Sequence, residues 1–205
     1  MSKIDFSDIN VPELIADMWE PLTEEQREYL SEHFTIQNFK KNEVVHFEGE
    51  TPTHLMCLLT GKVKIYKDGV GGRSQIIRMM KPVEYFGYRA YFSEQAYVTA
   101  AAAFEPSVIC LIPMTVITKL IRQNNDLAMF FIKQLSNDLG MSDTRTVNLT
   151  QKHIRGRLAE SLLFLKDSYG LEEDGYTLSI YLSREDLANL SNMTTSNAIR
   201  TLSNF

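Results

Sequence analysis

What most limits the folds open to this chain is a change of texture at residue 35. From there to residue 112, short apolar runs alternate with turn residues that recur about every 8 to 12 positions. Residues 44–47 lead into Glu48-Gly49-Glu50, and residues 55–59 lead into Thr60-Gly61. Val63 and Ile65 then alternate with Lys62, Lys64 and Lys67 before Asp68-Gly69. Further strand-like runs fall at 74–80, 98–104 and 107–112. Alternation with a period of two gives each strand one buried face, and many short strands with frequent turns make a sandwich or barrel. A jelly roll is the expected form. Residues before 35 read as helical, with Pro21-Leu22-Thr23-Glu24-Glu25 as a start signal and Leu22, Tyr29, Leu30 and Phe34 as spaced apolar positions. They are expected to cap one end of the β domain.

After Pro113 the pattern becomes helical, over 114–122 and then in a long stretch from 125 to 148. Within the long stretch Ala128, Phe131, Ile132, Leu135 and Leu139 recur at steps of three and four, and Ser142, Thr146 and Leu149 continue the stripe more weakly. Two partners fit such a stripe: the chain's own jelly roll, or the same helix of a second subunit. From Gln151 another amphipathic helix, with Ile154, Leu158, Leu162, Leu163 and Leu165 apolar, runs to Ser168 and is stopped by Gly170. A turn at 172–175 and a short strand at 176–180 should follow.

The last 24 residues, 182–205, carry the spacing of a helix-turn-helix. Ser183 with Asp186 makes an N-terminal cap for a helix over 184–190. Asn192 suits the left-handed corner that a tight helix pair needs. Thr194 caps a second helix, in which Ala198 and Leu202 share one face while Thr195, Ser196, Ile199 and Arg200 share another. The first face would pack on Leu187 and Leu190. The second, with Asn197 beside it, would be free to enter a major groove, where arginine can bond guanine and hydroxyls either base type. The same spacing also describes an ordinary packing pair of helices.

Composition narrows the function. A chain of 205 residues, 44% of them hydrophobic, can build one large or two small cores. No run approaches the ~18 apolar residues of a membrane span, and the N-terminus, with Lys3, Asp5 and Asp8, lacks a signal-peptide core. A cytoplasmic protein is expected. Cys57 and Cys110 both lie in apolar runs and read as small core residues, too few for an iron-sulfur cluster or structural zinc. The net charge of −5 argues against a protein that coats nucleic acid, and residues 148–205 carry six Lys and Arg against seven Asp and Glu. Local clustering of Lys152, His153, Arg155 and Arg157, away from Glu172, Glu173 and Asp174, would answer that objection.

In order and spacing, these segments resemble the Crp/Fnr family of bacterial transcription regulators over nearly the whole chain. The resemblance is carried by Phe47-Glu48-Gly49-Glu50, residues 55–61, Val63-Lys64-Ile65-Tyr66, Phe86-Gly87 and Asn124-Asn125-Asp126. Ile154-Arg155-Gly156-Arg157-Leu158-Ala159 and Leu182-Ser183-Arg184-Glu185-Asp186-Leu187-Ala188 complete it. It implies an α+β chain: a cyclic-nucleotide-binding-type jelly roll over 1–124, a dimerisation helix over 125–148, and a winged-helix-type DNA-binding domain over 149–205. The family's C-terminal β-hairpin wing does not follow Phe205, so loss of its phosphate contacts should weaken DNA binding.

The resemblance also implies roles. Ser183, Arg184, Thr194, Thr195, Ser196, Asn197 and Arg200 would contact DNA. Phe131, Ile132, Leu135, Leu139, Ser142 and Thr146 would form a dimer interface. Phe86, Gly87, Tyr88, Arg89, Tyr97, Val98, Ser142 and Asp143 would surround an effector. Here the chain departs from the cyclic-nucleotide binders, because the ribose-holding Glu is Tyr88 and the phosphate-neutralising Arg is Tyr97. A buried phosphate without a cation costs several kcal/mol, so cyclic AMP is not the expected effector; Arg89 could hold a different anion. No cofactor is identified, and no N-terminal cysteines are available for oxygen sensing. His33, His46, His54 and His153 are scattered and read as surface or satisfied core histidines, not metal or haem ligands. The expected protein is a homodimeric regulator of palindromic double-stranded DNA that works with RNA polymerase under an unidentified small-molecule effector. A ligand-free module acting through protein contacts stands as the alternative, with a cupin-like enzyme more distant.

Overall fold

In the computed structural model residues 10–69 and 72–205 are described. The part of the helical reading that falls before residue 10 lies outside them. Among the described residues three short helices come first: α1 (Val11–Leu14), α2 (Ala16–Trp19) and α3 (Glu24–Ser31). Thr23 starts α3 as foreseen, in a reciprocal capping box: Gln26 N donates to Thr23 Oγ1 at 3.3 Å and Thr23 N donates to Gln26 Oε1 at 3.1 Å.

Eight strands follow, with one helix among them: β1 (Thr35–Phe39), β2 (Val44–His46), β3 (His54–Thr60), β4 (Val63–Asp68), β5 (Ser74–Met80), β6 (Tyr85–Phe86), α4 (Tyr88–Phe92), β7 (Ala100–Ala103) and β8 (Ser107–Pro113). They form two four-stranded antiparallel sheets, in the orders β1-β8-β3-β6 and β2-β7-β4-β5. This is the jelly-roll arrangement expected. The β3–β8 pair explains why these two runs read as continuously apolar. Leu55, Cys57 and Leu59 face one core cluster while Met56 and Leu58 face another, and on β8 Val108, Cys110 and Ile112 oppose Ile109 in the same way. Both faces of the central strands are therefore covered. Cys57 and Cys110 are register partners, free and fully buried. Burial pushes both thiols up, Cys110 to about 12, which leaves them inert core groups.

The remaining elements are α5 (Met114–Gln123), α6 (Asn125–Gln151), α7 (Ile154–Tyr169), α8 (Arg184–Leu190) and α9 (Thr195–Leu202). Asn124 anchors the start of α6: its Oδ1 accepts from Leu127 N at 3.0 Å and its Nδ2 donates to Pro21 O and Gln26 Oε1, both at 2.9 Å. The short strand expected at 176–180 does not form. Only a single antiparallel bridge joins Leu171 to Leu178, because a strand needs a partner along its length. The turn before it is held instead by Asp174, whose carboxylate accepts from Tyr176 N, Thr177 N and Thr177 Oγ1. Those bonds hold its carboxyl below the usual range.

The chain divides into two compact units, residues 1–65 with 79–137 and residues 66–78 with 138–205. The first contains both core clusters. The second brings the outer part of the β4–β5 hairpin together with the distal half of α6 and helices α7 to α9.

Candidate nucleic-acid interface and effector pocket

In the second unit, α7 and the α8–α9 pair pack around Leu158, Leu165, Leu187, Ala188, Leu190, Met193 and Ala198, all buried. Both sequence caps form. Ser183 Oγ accepts from Asp186 N at 3.0 Å and Thr194 Oγ1 accepts from Asn197 N at 3.3 Å, each satisfying a donor left open at a helix start. Asn192 takes the corner with φ 51°, in the left-handed region where asparagine is tolerated. The corner is closed by Ser191 N donating to Leu187 O and Met193 N donating to Ala188 O, both at 3.0 Å.

This geometry sorts α9 into two faces. Ala198 and Thr201 are buried, whereas Thr194, Thr195, Ser196, Ile199 and Arg200 are exposed and Asn197 is half-buried. Arg200 Nη2 donates to Asn197 Oδ1 at 2.9 Å, which holds the guanidinium along the helix surface. Ser183 and Arg184 are exposed at the start of α8. The basic residues of 152–157 are mostly engaged within the unit. Lys152 pairs with Glu160, Arg157 Nη1 donates to Leu149 O at 3.2 Å, and the Arg155 guanidinium lies 4.9 Å from the Phe205 ring centroid.

A polar knot in this unit was not foreseen. The Arg145 guanidinium on α6 donates to the carbonyls of Ile76 and Ile77 on β5 and, at 3.2 Å, to Leu190 O at the end of α8. Arg73 Nη2 donates to Asn192 Oδ1 at 2.9 Å, and Gln75 Nε2 donates to Asn189 O. Arg78 pairs with Asp138 at 2.7 Å. Burial, with Arg78 nearby, pulls the Arg145 pKa down. The turn of the helix pair is thus bonded directly to the hairpin segment of its own unit.

The first unit holds most of the expected effector residues. Phe86 and Gly87 lie where β6 meets α4, and Gly87 has φ 89°. A Cβ there would sit 2.9 Å from His54 O and 3.2 Å from Tyr97 Oη, so only glycine fits. Tyr88, 3% exposed, turns into an aromatic cluster with Phe131 at 5.4 Å and Phe92 at 6.3 Å between ring centroids. Its ring is built into the core. Arg89 is exposed, as is Val98. Tyr97 is buried and stacks on His46 with centroids 3.8 Å apart and planes 22° apart. Ser142 and Asp143 belong to the second unit and are exposed on α6.

The apolar stripe of α6 divides. Phe131 is buried in its own chain's core and Leu135 is packed against that core, while Ile132 and Leu139 remain 51% and 64% exposed. Thr146 is exposed, its hydroxyl donating to Ser142 O at 2.9 Å. His46 corrects an expectation of a surface or satisfied histidine: it is buried, yet its Nδ1 finds no partner among the described residues. Its stacking on a residue 51 positions away was not visible in the sequence.

The profile of the family described as "Cyclic nucleotide-binding domain" matches residues 36–124. An uncharacterized protein of Haemophilus influenzae is 32% identical over 116 residues, which cover 56% of this chain and 87% of that one. The CRP-like cAMP-activated global transcriptional regulator of Mycobacterium tuberculosis is 23% identical over 154 residues, 75% of this chain and 69% of that one. Among solved structures, a CRP/FNR-family transcriptional regulator from Thermus thermophilus superposes with a TM-score of 0.67 at 22% identity, over 83% of this chain and 84% of that one. The fold and the matched domain define a cyclic-nucleotide-binding-type jelly roll joined by a long helix to a helix-turn-helix. This chain carries a cyclic nucleotide-binding domain and is similar in sequence and fold to CRP/FNR-family transcription regulators. Among the described residues no helix is long and apolar enough to cross a membrane.

Proposed function

We propose that this protein is a homodimeric, cytoplasmic transcription regulator that reads palindromic double-stranded DNA with α9 and responds to a small effector other than cyclic AMP. The observation that carries this reading is the sorting of α9. Two capped helices meet at a left-handed asparagine, bury Leu187, Leu190 and Ala198, and leave Thr195, Ser196, Ile199 and Arg200 outward. Arg200 would read a guanine, Thr195, Ser196 and Asn197 neighbouring bases, and Ser183, Arg184 and Thr194 the flanking phosphates. Domain roles follow the sequence: sensing in 1–124, dimerisation through 125–148, DNA contact in 149–205, with RNA polymerase as the downstream partner.

Exposed Met129, Ile132 and Leu139 on α6, with Thr146, recur at the three- and four-residue steps of a helix pair. Two copies joined there would set two α9 helices one DNA turn apart, about 34 Å. Cyclic AMP is disfavoured by the packing of Tyr88 into the aromatic cluster and by the buried phenol of Tyr97. The effector residues left within the first unit are then Phe86, Gly87, Arg89 and Val98. The test is a gel shift of the full chain on promoter fragments, alongside calorimetry with cyclic AMP. A two-to-one protein–duplex complex and no sub-micromolar cyclic AMP binding are expected. Failure to shift any fragment would favour a module acting through protein contacts.

A further inference from the structure

The first unit contains a cavity of about 230 Å³. It opens beside β1 and β2, and its lining includes Phe39, His46, Glu50, His54, Met56 and Tyr97. Two of these side chains are 6% exposed and unsatisfied: His46 Nδ1 and Tyr97 Oη both lack a hydrogen-bond partner among the described residues. Leaving a buried polar atom unpaired costs about 1–3 kcal/mol, and here two such atoms, on stacked rings, border one cavity. That is the signature of groups completed by a bound molecule. One water occupies about 30 Å³, so the space takes several waters or one small organic molecule.

Charge restricts the occupant. Glu43 and Glu50 border the cavity, and among the described residues no Lys or Arg lines it. Each carboxylate has one oxygen, Oε2, engaged by a backbone donor, Lys40 N for Glu43 and Phe47 N for Glu50, both at 2.8 Å, and a carboxylate retains further acceptor sites. The imidazole of His46 is kept neutral by burial, its pKa pulled down to about 4. An anion would therefore meet two carboxylates and no cation. An ammonium group, with three donors and no acceptor, matches a carboxylate, a neutral imidazole nitrogen and a phenol oxygen.

The geometry points to this cavity as a binding site for a small primary ammonium compound, with the ammonium held by Glu50, His46 Nδ1 and Tyr97 Oη and a short carbon chain against Phe39 and Met56. Of the residues that the family resemblance places around an effector, the site takes in Tyr97 alone; Phe86, Gly87, Tyr88, Arg89 and Val98 do not line it. It deepens the sensory part of the proposed function, and rests on that reading only for what binding would do to DNA affinity. Tyr97 Oη also sits against Gly87, 3.2 Å from where a Cβ would stand, so an occupant touching the phenol touches the wall of the cassette loop.

The experiment uses three probes of nearly one shape and three charges: n-butylammonium, n-butanol and n-butyrate. Each is titrated at constant ionic strength into the full chain carrying isotope-labelled histidine, and the His46 ring signals are followed by NMR. Saturable shifts are expected with n-butylammonium, weaker ones with n-butanol and none with n-butyrate. Tyr97→Phe should weaken n-butylammonium binding about three- to tenfold, the loss of one hydrogen bond. Glu50→Gln should erase its advantage over n-butanol. The proposal is overturned if n-butyrate binds as well as n-butylammonium, or if none of the probes saturates while the His33, His54 and His153 signals report a folded chain. A normal gel shift with an unresponsive His46 sinks this proposal alone; a saturating His46 without any gel shift sinks the DNA reading alone.

Discussion

Replacing Arg145 with methionine tests whether the second unit is held by its half-buried guanidinium. Methionine keeps most of the stem and removes the five donors. In the wild-type chain those donors serve Ile76 O, Ile77 O and Leu190 O. A hydrogen bond from an ionised donor contributes about 1.5–3 kcal/mol, so three contribute roughly 4–9 kcal/mol before opposing terms. Burying the charge costs several kcal/mol, and the depressed pKa of Arg145 shows that this cost is present. The net loss on substitution is therefore about 2–4 kcal/mol, most of it from carbonyls stranded without donors. Urea unfolding followed by circular dichroism should show the midpoint falling with an unchanged slope. Hydrogen exchange should quicken in residues 74–78 and 187–193. Arg145→Lys should recover less than half of the loss, because a single ammonium cannot span carbonyls on two segments. A destabilisation below about 0.5 kcal/mol would refute the reasoning, since surface changes of no structural weight fall in that range.

Three further outcomes are expected. His46 titrates near 4 in the folded chain against 6.5 when unfolded, so between those values the unfolded state binds the extra proton. Its contribution is fully present above pH 6.5 and is lost as pH falls towards 4, about 3 kcal/mol at ~1.36 kcal/mol per unit; the difference between wild type and His46→Phe across that window measures it. Gly87→Ala places a methyl against His54 O at a positive φ and should cost more than 2 kcal/mol in thermal unfolding, beyond the usual range of a glycine change. Phe131→Ala should destabilise the fold by about 3–5 kcal/mol, whereas Leu139→Asp should leave the fold intact and abolish the dimer in sedimentation, because one side chain is in the chain's own core and the other is exposed.

Local signals were legible where a residue's chemistry and its neighbours within about four positions decide the structure. Thr23, Ser183 and Thr194 cap the helices that their side chains can reach, and Asn192 makes the corner because few other residues tolerate φ 51°. The jelly roll was legible from alternation, and Cys57 and Cys110 from their apolar runs. Partnerships across long stretches of chain were not. Arg145 meets carbonyls 68 and 69 residues away, and Tyr97 stacks on His46, with nothing in the intervening sequence to announce either. The expected strand at 176–180 had the right residues but no strand to pair with. The stripe on α6 looked uniform because periodicity reports which residues share a face, not what covers it; Phe131 and Leu135 go to the chain's own core while Ile132 and Leu139 are left out.

DNA recognition by this protein requires paired α9 helices reading one duplex. Selection of bound duplexes from a random-sequence pool by the full chain measures this directly. Enriched sequences should contain an inverted repeat with half-site centres about 10 base pairs apart, and Arg200→Ala should relax one symmetric position at a cost of about 1–3 kcal/mol. Recovery of no shared motif, or of a single unrepeated half-site bound by one chain, would contradict it.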